Sequence, residues 1–250
     1  MKTFALLFAG LTAATLAHAE SFSAVEKFSH AYPVSAQAEL SLNSINGPVE
    51  VVAWDKSEIS VDAEKRAENS EDLAKIHIDV NASPNRVEIK TTHERTGWFF
   101  NNVKGSVHYT VHVPASLALC QVQVVNSDIT VDEVNAQIKA HTVNGGLHIS
   151  GITTRAELNT VNGNIDATLA AGKTDQVVTA STVNGGCRLS LPANLSATIH
   201  GHTVNGGLKT SLTLTDLKTS RRSIDGRLGT GEKGKIDAST VNGDITFDAL

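Results

Sequence analysis

Thr142-Val143-Asn144-Gly145-Gly146-Leu147 decides the fold, because the chain writes it again and again. It returns as Thr160-Val161-Asn162-Gly163-Asn164-Ile165, Thr182-Val183-Asn184-Gly185-Gly186-Cys187, Thr203-Val204-Asn205-Gly206-Gly207-Leu208 and Thr240-Val241-Asn242-Gly243-Asp244-Ile245. Ser223-Ile224-Asp225-Gly226-Arg227-Leu228 is a degenerate copy, and Val125-Asn126-Ser127-Asp128-Ile129 opens the series without the Gly. The Asn or Asp stations at 126, 144, 162, 184, 205, 225 and 242 are 18, 18, 22, 21, 20 and 17 residues apart. A steady period near 20 marks a repeat architecture.

Asn-Gly costs little in left-handed backbone, since Gly lacks a Cβ and Asn bonds its own main chain, so each station reads as a sharp corner. The β-branched residue before it (Val143, Val161, Val183, Val204, Ile224, Val241) and the apolar residue three after it (Leu147, Ile165, Cys187, Leu208, Leu228, Ile245) are both expected to point inward. A looser turn midway between stations, as at Gly151, Ala171-Gly172-Lys173 or Pro192-Ala193-Asn194, absorbs the variation in length. Two architectures have two turns per repeat. A parallel β-solenoid stacks one coil per repeat at ~4.8 Å, whereas an antiparallel meander makes each repeat a hairpin, for which Asn-Gly is a strong signal. Stacked coils bring identical residues into contact and so favour one word in every copy; a meander sets equivalent turns two strands apart. The repetition favours an all-β solenoid in which consecutive copies lie directly on one another.

Before the repeat, the chain changes character. Met1-Lys2-Thr3, the apolar run 4–16 and Ala17-His18-Ala19 read as a secretory signal peptide (1–19) cut before Glu20, which implies a periplasmic, secreted or cell-surface protein. The apolar run is too short for a transmembrane segment, and no later stretch approaches one. Residues 20–116 read as an N-terminal β cap region, and 117–250 as the solenoid of Asn-Gly repeats. Ser44-Ile45-Asn46-Gly47-Pro48-Val49 is a lone early copy of the corner. Strand-like alternation covers 49–53, 59–63, 76–80, 87–91 and 106–113, and 69–75 reads as one short helix capped by Asn69 or Ser70. A solenoid needs such a cap, because an open coil end is a sheet edge that invites pairing.

At this point the residues carry a resemblance. Ile45-Asn46-Gly47-Pro48-Val49-Glu50-Val51, Trp54-Asp55, Val111-His112-Val113-Pro114 and the serial Asn-Gly corners resemble the adhesin-like β-strand-repeat family of bacterial envelope proteins, related to the autotransporter-adhesin head domain. The resemblance implies a right-handed parallel β-helix-like domain outside the cytoplasm, without established catalytic residues.

Twenty-one Lys and Arg stand against 26 Asp and Glu. That balance argues against nucleic acid and anionic membrane as partners, since no basic patch supplies the phosphate term. Cys120 and Cys187 sit three coils apart in the repeat register, ~14 Å on coil spacing, beyond disulfide reach; two free, buried thiols are expected. His108 and His112 lie ~13 Å apart on one strand face, too far for one metal ion, and His200 with His202 lacks the further ligands a structural site needs. No metal and no cofactor are expected. Asp128 and Asp244 share the slot two after a station, but Gly146, Asn164, Gly186, Gly207 and Arg227 fill it between them. No carboxylate cluster on adjacent coils therefore suggests itself for polysaccharide cleavage.

Two features remain as candidate binding residues. Asn126, Asn144, Asn162, Asn184, Asn205 and Asn242 form either a ligand-binding stripe or, as the repeat favours, a structural asparagine ladder. Asp225 interrupts that file in the copy that also carries Arg221, Arg222 and Arg227. Trp98, Phe99 and Phe100 join two strands in a chain poor in aromatics; they offer an apolar contact for a partner or fold down to plug an open coil end. The reading is a non-enzymatic extracytoplasmic β-solenoid, an adhesin-like or structural module binding an unknown protein or glycan of the cell envelope or surface. A carbohydrate-active β-helix enzyme and a periplasmic sensor or assembly factor are the alternatives.

Overall fold

The computed structural model describes residues 22–94 and 104–250; the signal peptide expected at 1–19 and the aromatics Trp98, Phe99 and Phe100 lie outside the described residues. Strands dominate: β1 (Ala24–Pro33), β2 (Glu39–Asn43), β3 (Val49–Trp54), β4 (Glu58–Ala67), then the helix α1 (Ser70–Ala74), β5 (Ile76–Ser83), β6 (Arg86–His93) and β7 (Gly105–Pro114). There follow β8 (Ser116–Asn126), β9 (Ile129–Asp132), β10 (Asn135–Asn144), β11 (Leu147–Ile152), β12 (Arg155–Asn159), β13 (Ile165–Leu169), β14 (Val177–Asn184) and β15 (Cys187–Leu191). The chain ends in β16 (Ala197–Asn205), β17 (Leu208–Thr210), β18 (Thr215–Thr219), β19 (Ser223–Leu228), β20 (Gly234–Asn242) and β21 (Ile245–Ala249). Asn69 caps α1 as its sequence suggests, accepting from the Asp72 N–H.

Two sheets result, one ordered β1-β4-β7-β3-β9-β11-β13-β15-β21-β17 and the other β18-β19-β16-β20-β14-β12-β10-β8-β2-β6-β5. Each coil gives one strand to each sheet, and the two orders agree: β6/β7, β2/β3, β8/β9, β10/β11, β12/β13, β14/β15, β20/β21, β16/β17. Neighbouring coils are parallel, with like residues in register: Asn144 opposite Asn126, Asn184 and Asn205 both opposite Asn242. This is a β-solenoid. Antiparallel strands close its ends, β4 and β1 beyond β7, β5 beyond β6, and the β19–β18 pair beyond β16.

Between the sheets runs one narrow core. Leu40, Cys120, Ile138, Ala156, Val178, Ile236 and Ile199 face Val51, Val131, Ile149, Ala167, Leu189 and Phe247. Each larger aliphatic side chain buried here contributes about 1.5–3 kcal/mol. Phe247 fits because Gly201 lies over it; a Cβ at 201 would come within 2.9 Å of the ring. At the other end the Tyr109 hydroxyl is buried against Thr91 at 2.7 Å, and Lys65 turns inward to bond the Ile76 carbonyl (3.3 Å) and Glu26 (2.8 Å).

Two expectations need correction. Successive copies are not everywhere neighbours: the coil at Asn242 lies between those at Asn184 and Asn205. Nor is Asp225 a corner, since β19 runs antiparallel to β16 and sets Asp225 opposite His200.

Candidate binding surface

The corner is built from strand alternation. Ile138 and Ala140 point inward, so two residues on Thr142 does as well, and Val143 must point out. Thr142, Thr160, Thr182, Thr203 and Thr240 are accordingly buried. Burying a hydroxyl requires a partner, and each finds the carbonyl at the corner of the coil it rests on: Thr142 bonds Ser127 at 2.9 Å, Thr160 bonds Gly145 at 2.9 Å, Thr182 bonds Gly163 at 3.0 Å, Thr240 bonds Gly185 at 2.8 Å and Thr203 bonds Gly243 at 3.0 Å. The expectation of inward valines is thus overturned. Val125, Val183, Val204 and Val241 are exposed, and Val143 and Val161 half-exposed between them. Stacked in register, they form an aliphatic ridge along the outside of the corner.

Beside the ridge runs the asparagine file. Asn205 donates through Nδ2 to Oδ1 of Asn242 (2.9 Å), Asn242 to Asn184 (2.8 Å), Asn184 to Asn162 (2.8 Å), Asn162 to Asn144 (2.8 Å), Asn144 to Asn126 (2.7 Å) and Asn126 to Asn46 (2.9 Å). Asn46 ends the chain on the Gly105 carbonyl at 3.1 Å. All the amides point one way, so each bond polarises the next. The early copy at 44–49 is therefore a rung of the same ladder. The glycines answer a different need from the one their sequence suggests. Of the corner glycines, Gly47 at φ +106° sits well inside the left-handed region, while Gly185 and Gly243, at +158° and +159°, are almost extended. At Gly145, Gly163, Gly185, Gly243 and Gly206 a Cβ would overlap the corner carbonyl of the adjacent coil, so close approach demands glycine.

The slot two after each station alternates in space. Read up the stack it is Asp128, Gly146, Asn164, Gly186, Asp244, Gly207. Asp128 Oδ1 accepts from the Gly146 N–H (2.6 Å), Asn164 from Gly186 (2.8 Å) and Asp244 from Gly207 (2.7 Å).

On the outer faces the remaining polar residues pair locally. His200 Nδ1 bonds Asp225, Arg227 pairs with Asp216 rather than with Asp225, His112 stacks on Trp54 at 5.1 Å, and the Lys56 ammonium lies over the Trp54 ring at 4.5 Å. Open depressions on these faces are lined by Gln121, Lys139, His141 and Glu157 on one sheet, and by Asp132, His148, Asp166 and Arg188 on the other. Among the described residues no three His, Cys, Asp or Glu gather to hold a metal ion, and no helix is long and apolar enough to cross a membrane. Cys120 and Cys187 are free and buried. Burial pushes both thiols up to about 12, with Asp166 adding to the shift at Cys187, so neither serves as a nucleophile near neutral pH.

Two packed sheets with a repeated corner and polar outer faces define a β-solenoid. The chain belongs to the toastrack DUF4097 family, whose model matches residues 116–248. No curated protein matches it. Among solved structures, a "putative cell adhesion protein" from Clostridium sporogenes is similar at 10% identity and TM-score 0.51, over 91% of this chain and 100% of that one. A "putative adhesin" from Bacteroides fragilis is similar at 12% identity and TM-score 0.39, over 90% and 97%.

Proposed function

We propose that the protein is a non-catalytic, adhesin-like module of the bacterial envelope, held outside the cytoplasm, that presents its corner to a protein or glycan of the envelope or surface. The observation that carries this reading is the exposed valine ridge beside a continuous file of amides. Apolar area next to ordered polar groups, repeated at coil spacing, suits a partner that is itself extended and repetitive. The groups whose protonation is most displaced, Tyr109, Cys120 and Cys187, lie in the core rather than in the open depressions. The leader-like residues 1–19 and the name of the structural neighbour from Clostridium sporogenes support a periplasmic or surface location.

Glycan arrays and sedimentation with purified envelopes test the reading. A variant carrying Val125→Thr, Val183→Thr, Val204→Thr and Val241→Thr keeps the β-branched shape and removes the four most exposed valines of the ridge; it should bind at least about tenfold more weakly, since a few buried apolar contacts supply more than the 1.4 kcal/mol this requires. A second variant, Trp98→Ala with Phe99→Ala and Phe100→Ala, reports on the other candidate surface. Undiminished binding by the ridge variant would remove the ridge from the reading. Release of reducing ends from a polysaccharide would replace the reading by the carbohydrate-active alternative.

A further inference from the structure

The file of Asn-Gly pairs is protected everywhere except at its last member. Within the stack each glycine N–H is committed to the next coil: Gly145 donates to the Asn162 carbonyl, Gly163 to Asn184, Gly185 to Asn242 and Gly243 to Asn205, all at 3.0 Å, and Gly47 to Asn126 at 3.4 Å. The side-chain oxygens of Asn46, Asn144, Asn162, Asn184 and Asn242 each receive an amide from the coil above. Asn205 has no parallel coil above it. Among the described residues nothing accepts from the Gly206 N–H or donates to Asn205 Oδ1. Gly206 is also exposed, whereas the other five glycines are half-buried.

We propose that Asn205-Gly206 is a site of spontaneous covalent modification in the folded protein, and that the stack shields the other five pairs. The main-chain nitrogen of Gly206 attacks Cγ of Asn205. A C–N bond forms, the Cγ–Nδ2 bond breaks, and the displaced nitrogen leaves as ammonia carrying the proton from Gly206. Water then opens the succinimide ring at one or the other carbonyl, giving aspartate or isoaspartate; no oxidant or reductant takes part. Glycine permits the attack because no Cβ screens its nitrogen. Asn205 is held by a single bond, from Nδ2 to Asn242 at 2.9 Å, while each stacked pair must break several before its nitrogen is free. The product places a carboxylate where the last rung had a donor, against Asn242 Oδ1, and its isoaspartyl form lengthens the main chain where β16 pairs with β20 at Asn242.

The purified full chain, incubated in mildly alkaline buffer and then digested with trypsin, tests this. Cleavage after Lys and Arg puts each of the six asparagines in its own peptide, Asn205 in 189–209. In the native protein, conversion at Asn205 should run at least about tenfold faster than at any other station, because a bonded N–H reacts only after local opening. In urea the six should convert at comparable rates, and Asn205→Gln should abolish conversion in 189–209 while leaving the other peptides unchanged. A second station converting as fast as Asn205 in the native protein, or Asn205 as slow as the rest, would overturn the proposal.

Discussion

From Asn126 to Asn184 the order of coils along the chain is their order in space; at both ends it is not. Near the N-terminus β2/β3 lies between β6/β7 and β8/β9, and near the C-terminus β20/β21 lies between β14/β15 and β16/β17. The contrast shows that fit between coils, rather than nearness along the chain, chooses the neighbour. If the coil at Asn205 sat directly on that at Asn184, Gly207 would lie over Gly186, and its N–H would have no side chain to accept it. Asp244 would then end the stack with no donor above it. Inserting the last coil gives Gly207 its acceptor and restores the alternation of Asx with Gly.

The largest expected effect follows from that insertion. Deleting Gly234–Leu250 removes the parallel partners that β16 and β17 have among the described residues, together with Ile236, Ile245 and Phe247, each worth about 1.5–3 kcal/mol of buried surface. Limited proteolysis should then cut freely within 192–233, while the stretch 105–184 stays resistant. If β16 and β17 stack on β14 and β15 instead, resistance will extend to residue 210 and the Asx-Gly argument fails. A smaller loss is expected from Gly163→Ala in the middle of the stack. Its Cβ would overlap the Gly145 carbonyl, so two coils must separate, at a cost of about 2–3 kcal/mol in a urea titration. Ser127→Ala, at the copy that already tolerates a side chain, should change stability by less than about 0.5 kcal/mol.

Much of this was legible in the residues. The repeat of one six-residue word announced stacked coils, and Asn69 announced the short helix. The direction of the valines was legible too, through a signal left unread: Ile138, Ala140, Thr142 and likewise Val178, Ala180, Thr182 keep a period of two that places Thr inside. The spatial order was harder. It is encoded in the slot Asp128, Gly146, Asn164, Gly186, Gly207, Asp244, but only a reader who asks what each exposed N–H needs would move Asp244 past Gly207. Asp225 resembled a station because Ile224-Asp225-Gly226 copies the word, while its pairing with His200 depends on an antiparallel return that no local pattern announces.

The two regions should also differ rung by rung. Asn184 both donates to Asn162 and accepts from Asn242, whereas Asn205 only donates. At about 0.5–1.5 kcal/mol per hydrogen bond, Asn184→Ala should cost ~1–3 kcal/mol and Asn205→Ala about half as much, read as shifts of the urea midpoint. Equal costs would mean that the amides are tied to water rather than to one another.

The smallest effect, absent at neutral pH, belongs to the thiols. Cys120 and Cys187 rise from an ordinary 9.0 to about 12 in the folded chain. Below pH 9 both states hold these protons equally, so the thiols add no pH dependence there. As pH rises from 9 to 12 the unfolded chain releases them while the native chain retains them, and stability falls through that window. Cys120→Ala with Cys187→Ala should flatten the decline, leaving a remnant from Tyr109, whose hydroxyl is also pushed up to about 12. The same thiols report on the inserted coil. Cys187 lies opposite Ile245, with its Sγ 3.8 Å from the Ser239 carbonyl, so deletion of Gly234–Leu250 uncovers it and leaves Cys120 three coils away. An Ellman titration should find no reactive thiol in the native full chain and one in the shortened chain. Two reactive thiols would show that the stack unfolds as a unit, with no independent middle.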